Sequence, residues 1–68
     1  MIFTVEVEGL GVMYSGGNER RAKDEFFYYA RESSRGAGNA ASKRVKISSS
    51  TGFGTLYDPK ISPNIPRV

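Results

Sequence analysis

The sequence predicts an α+β domain of ββαββ order, with one helix laid across one face of an antiparallel sheet. Three patterns carry this. Residues 2–8 alternate apolar and polar, residues 18–35 repeat apolar side chains at helical spacing, and residues 43–57 alternate again around a Ser-Thr-Gly turn. Period 2 marks half-buried strands and period 3.6 an amphipathic helix. One helix on one sheet face is the simplest way to bury one apolar stripe.

In the first strand Phe3, Val5 and Val7 point one way and Ile2, Thr4, Glu6 and Glu8 the other. Gly9-Leu10-Gly11 signals a turn, and Val12, Met13 and Tyr14 form a second strand, so the first third reads as a hairpin. Asn18 is a suitable N-cap, because its side chain accepts from a first-turn amide. Glu19 suits the positive end of the helix dipole, and Arg31 and Arg35 the negative end. Ala22, Phe26, Tyr29 and Ala30 form the buried stripe, with Phe27 at its edge. Arg20 and Asp24, and Arg21 and Glu25, are four apart and spaced for ion pairs. Gly36 is placed to end the helix in the left-handed conformation.

Gly36 to Ser42 reads as a flexible loop of small residues. A third strand follows at Lys43 to Ser49, with Val45 and Ile47 inward and Arg44, Lys46 and Ser48 outward. A fourth occupies Phe53 to Tyr57, where Gly54 hints at a bulge. The expected core is Phe3, Val5, Val7, Val12 or Met13, Ala22, Phe26, Tyr29, Ala30, Val45, Ile47 and Leu56. Residues 1–58 make one domain, and residues 59–68 a proline-rich extended tail that adds no central strand. The far face of the sheet has nothing to cover it except that tail.

With no cysteine and no histidine, disulfides, thiolate chemistry and the usual zinc ligands are excluded, and no cofactor or metal is expected. No apolar run approaches the ~20 residues of a membrane span, and residues 2–8 do not read as a signal peptide, so a cytoplasmic protein without a membrane partner is expected. Gly36 to Ala41 fits G-x-G-x-x-A by letter, but it closes a helix where a dinucleotide fingerprint opens one. The serine runs at 33–34 and 48–50 lack a histidine base and read as loop serines. Glu6 and Glu8 share a strand face, but acid–base work needs a pocket to raise one of them. Pairing with bases of the third strand is the simpler expectation, and the chain reads as non-enzymatic.

The net charge of +3 is uneven: residues 1–19 sum to −3, residues 20–46 to +5 and residues 47–68 to +1. A basic middle segment fits nucleic acid or an acidic partner, or simply a solvated helix face. Four consecutive aromatics, Phe26 to Tyr29, cannot all face the core, because successive helix positions turn by about 100°. Tyr28 is thrown furthest outward, amid Arg20, Arg21, Arg31 and Glu32, as binding hot spots often are. The candidate partner-binding set is Arg20, Arg21, Tyr28, Arg31, Arg35, Arg44 and Lys46. No helix-turn-helix, zinc-finger or RNA-recognition signature accompanies it.

The run YSGGNERRAKDEFFYYARESS, the Gly/Ala loop and KRVKISSS together resemble small phage and mobile-element proteins of hairpin–helix–hairpin layout. Several phage-encoded inhibitors of CRISPR surveillance complexes are similar in size and build. The resemblance covers residues 2–59 in layout and assigns no residue a role. It implies an anti-CRISPR-like inhibitor that occludes a site on a host protein or nucleoprotein complex, in the bacterial cytoplasm. Two other readings stand beside it: a small nucleic-acid-binding protein using the helix and third strand, and a structural subunit that self-associates, as a homodimer for instance, through the uncovered sheet face.

Overall fold

The computed structural model describes residues 1–36, 38–61 and 64–66. Its elements run β1 (Phe3–Val7), β2 (Gly11–Gly16), α1 (Glu19–Arg35), β3 (Val45–Ser49) and β4 (Gly54–Tyr57), the expected ββαββ order. They build one antiparallel sheet, β2-β1-β3-β4, with β1 and β3 in the middle. The helix packs mainly over β3 and β1.

Local signals set the limits of α1. The Asn18 side chain accepts from the amide of Arg21 at 3.0 Å. Gly36 stops the helix at φ 68°, where any Cβ is strained, and its amide donates to the Ser33 carbonyl. The buried stripe is Ala22, Phe26, Ala30 and Ser33, one large side chain among small ones. Small neighbours bring the helix close to the sheet and seat the Phe26 ring on it. Phe3, Val5, Val7, Val45, Ile47, Ala40 and Tyr57 complete the core. Tyr29 is half-buried against it, as are Met13, Tyr14 and Phe27.

The last strand corrects the expected core. Leu56 is 53% exposed, and Tyr57 is buried in its stead. The register explains this: Val45 pairs with Tyr57, Lys46 with Leu56 and Ile47 with Thr55. Opposed residues in an antiparallel pair share a face. Inward Val45 therefore turns Tyr57 inward, and outward Lys46 turns Leu56 outward. Gly54 pairs regularly with Ser48 and marks no bulge. The irregularity lies between β1 and β2, where Val5 pairs with Tyr14 but Glu6 with Val12. Met13 is the extra residue and packs against the core, while Val12 is exposed.

The buried Tyr57 hydroxyl has no hydrogen-bond partner among the described residues. A buried hydroxyl without a partner costs desolvation with no return. Tyr57→Phe removes it with almost no change of shape and should stabilise the domain by about 1 kcal/mol, a rise in Tm of roughly 4–8 °C at this size. A melt unchanged or lowered would show that the hydroxyl is solvated or bonded.

The Gly/Ala loop, expected to be flexible, folds back onto the domain. Ala40 is fully buried, and the Ser33 hydroxyl donates to the Lys43 carbonyl at 2.6 Å. The Ser42 amide donates in turn to the Ser33 carbonyl at 3.2 Å. Small side chains let the loop lie this close, and Ala37 falls outside the described residues. The tail opens with a turn at Asp58, whose side chain accepts from the amide of Lys60. Farther on, Ile65 is half-buried against the core, beside Asp24, Phe27 and Arg31 of the helix. Ile65 thus lies against α1 rather than on the open sheet face. Among the described residues no helix is long and apolar enough to cross a membrane.

Candidate protein-binding face

With its apolar stripe on the sheet, α1 presents the opposite stripe to solvent. Arg20, Asp24, Tyr28, Arg31 and Arg35 recur there at three- or four-residue spacing. Tyr28 is 51% exposed, the most exposed aromatic side chain of the fold. Its ring meets that of Tyr29 edge to face, with centroids 5.0 Å apart at 81°. Tyr29 is held by its half-buried position, so the contact steadies the outer ring.

Tyr28 stands at one end of a shallow hollow of about 380 Å³, lined also by Asn18, Arg20, Arg21, Asp24 and Glu25. The Arg21 guanidinium lies 5.7 Å from the centre of the Tyr14 ring, which fixes it at the hollow's edge. Arg31 Nε donates to the Phe27 carbonyl at 3.3 Å. Among the described residues the ion pair along the helix joins Glu19 and Lys23 at 2.8 Å; the spaced pairs Arg20–Asp24 and Arg21–Glu25 do not close. The charges lining the hollow remain available.

Glu32 supports the site from one turn on. Its carboxylate raises the Tyr28 phenol above the ordinary value of 10.0, first as a hydrogen-bond acceptor and then as a negative charge. Burial, followed by the charge of Glu25, does the same for Tyr29. Both tyrosines are therefore neutral at physiological pH. The Glu32 carboxylate lies over Gly38, where a Cβ would come within 2.7 Å of it. The close-packed loop and the binding face are thus joined through one acidic side chain. The sequence places Glu32 beside Tyr28 and Asp24 and Glu25 on the same outer face, but the candidate set drawn from it takes only basic residues around Tyr28 and leaves all three out. Their signal was their interleaving with the arginines, which makes the face mixed in sign rather than basic.

Arg44 and Lys46 do not join this face. They project from the side of the sheet turned away from the helix, because Val45 between them and Ile47 after Lys46 are buried on the helix side. Arg44 is bound there to Glu8 through Nε at 3.1 Å and through Nη2. Lys46 lies directly opposite Glu6. The seven candidate residues therefore divide: Arg20, Arg21 and Tyr28 share the hollow, Arg31 and Arg35 continue along the helix, and Arg44 and Lys46 lie beyond the sheet.

The Glu8–Arg44 contact sets a pH dependence. The Arg44 guanidinium holds the Glu8 carboxyl below its ordinary value of 4.5 by hydrogen bonding. A lowered folded-state value means the contact stabilises above the unfolded carboxylate range and is lost as pH falls through the folded value. Arg44→Ala should move the Glu8 titration, followed by NMR, back up toward 4.5. It should also flatten the stability profile below about pH 5. An unmoved titration would mean that the pair is open in solution.

Compared with known proteins, the chain matches no family model, no curated protein and no solved structure.

Proposed function

We propose that this chain is a small non-enzymatic binding protein that docks a protein partner through the outward face of α1. The phage-type inhibitor, occluding a site on a host protein or nucleoprotein complex, is the specific form that the layout resemblance suggests. The observation that carries the binding reading is Tyr28: a large, steadied, half-exposed ring beside a hollow with arginines and carboxylates on its walls. An aromatic anchor costs little conformational entropy on binding, and mixed charge around it selects the partner.

The division of the basic residues counts against the nucleic-acid reading. A phosphate-gripping surface needs its cations on one continuous face. Here the helix arginines alternate with Asp24, Glu25 and Glu32, and Arg44 is engaged by Glu8. The test is capture from bacterial lysate on immobilised protein, with and without nuclease treatment. A protein retained after nuclease and lost with folded Tyr28→Ala supports the reading. Retention that vanishes with nuclease, or that ignores Tyr28, overturns it.

A further inference from the structure

The face of the sheet turned away from α1 carries a pattern that fits its own copy. One row crosses all four strands in register: Val12 on β2, Glu6 on β1, Lys46 on β3 and Leu56 on β4. All four are exposed, Val12 at 55% and Leu56 at 53%. The outer residues are apolar and the inner two carry opposite charge. The next charged pair repeats the arrangement, with Glu8 after β1 and Arg44 before β3 joined by the Glu8 amide and the Arg44 carbonyl. The neighbouring row is Ser15, Thr4, Ser48 and Gly54, with nothing larger than threonine. It leaves this part of the face low enough for a second sheet to approach. Although Glu6 and Lys46 are opposite in register, they form no ion pair among the described residues.

From this pattern we infer that the open face is the interface of a symmetric homodimer, with the two-fold axis running along the strands between β1 and β3. Such an axis lays β1 of one copy over β3 of the other at the same height. Glu6 then meets Lys46 of the second copy, and Val12 meets Leu56, each contact occurring twice. The other in-plane two-fold axis, across the strands, lays β1 on β1 and β3 on β3. It sets acid against acid and base against base in both charged rows. Charge therefore selects one arrangement, and an axis tilted slightly from the strands gives the usual crossing of about 30° between packed sheets. Isologous pairing of this kind closes at two copies.

The expected dimer is weak. Four strands about 4.8 Å apart and five residues long present a face of roughly 19 by 17 Å, smaller than a specific interface usually is. Its centre is charged, so desolvation offsets much of the attraction and salt weakens the remainder. The two-sided division of the fold leaves the Tyr28 face free in the dimer, so this inference stands or falls apart from the proposed function.

The test is sedimentation of the purified chain at low salt, from about 10 μM to about 1 mM, the range that so small a face implies. Reversible dimerisation is expected in the wild type. Glu6→Lys and Lys46→Glu should each weaken it at least tenfold, since each sets like charges together twice. Mixing the two variants should restore dimers, because both inter-copy pairs then carry opposite signs. Thermal melts check that the variants remain folded. A wild type monomeric throughout this range overturns the inference. So does dimerisation indifferent to either reversal, or failure of the mixture to re-form dimers.

Discussion

Phe26→Ala should abolish cooperative folding at room temperature or leave it barely measurable. Phe26 is fully buried at the centre of the helix stripe, between Ala22 and Ala30, and meets Phe27 edge to face at 5.8 Å. Truncating a buried phenylalanine costs about 3–5 kcal/mol, from lost transfer energy and the cavity left behind. A domain of this length has roughly 3–10 kcal/mol in all. The alanines on either side cannot reach into the gap, and the central strands are fixed by pairing on both sides. The site therefore collapses poorly, which places the cost in the upper part of the range. Phe26→Leu keeps most of the volume and should cost less than about 1.5 kcal/mol. Circular dichroism melts and urea titrations of the two variants read the difference. An alanine variant melting within a few degrees of wild type would mean that another residue centres the helix on the sheet.

The helix was legible because its information is local: a cap at Asn18, a stop at Gly36 and a stripe between them are all written within one segment. The central strands were legible for the same reason, since Val5, Val7, Val45 and Ile47 alternate unambiguously. What failed depended on pairing. Leu56 and Tyr57 are adjacent and both apolar, so alternation alone cannot decide which faces inward. Only the register with Val45 and Lys46 does. Met13 became inward through a bulge opposite β1, which no signal within β2 marks. Ser33 reads from the sequence as a loop serine and is in fact a buried helix residue that ties down the loop through the Lys43 carbonyl. The candidate site suffered from the same kind of loss. Sequence distance placed Arg44 and Lys46 near the helix arginines, whereas alternation in β3 sends them through the sheet to its other side. That consequence was available: once Val45 and Ile47 are assigned to the core beneath the helix, their neighbours must point away from it.

Tyr28→Ala should weaken protein-partner binding by about 2 kcal/mol or more, some thirtyfold, chiefly through faster dissociation. The ring is half-exposed in the free protein, and it is already steadied by Tyr29, so little order must be imposed when a partner covers it. Removing it should leave the fold untouched, because no core residue depends on it. The arginines should then contribute unequally. Arg21 is held against Tyr14 and Arg31 against the Phe27 carbonyl, whereas Arg20 forms no ion pair among the described residues. Arg21→Ala removes a positioned cation from the rim of the hollow, and should cost more than Arg35→Ala at the far end of the helix. A phosphate-bound ligand would give another pattern. Each arginine would then weaken binding by a similar amount and lower the salt slope by about 1 per contact, with Tyr28→Ala nearly silent. Dissociation rates at two salt concentrations, measured on variants whose melts match wild type, separate the two. If folded Tyr28→Ala binds the partner as tightly as wild type, the outward face of α1 is not the binding surface.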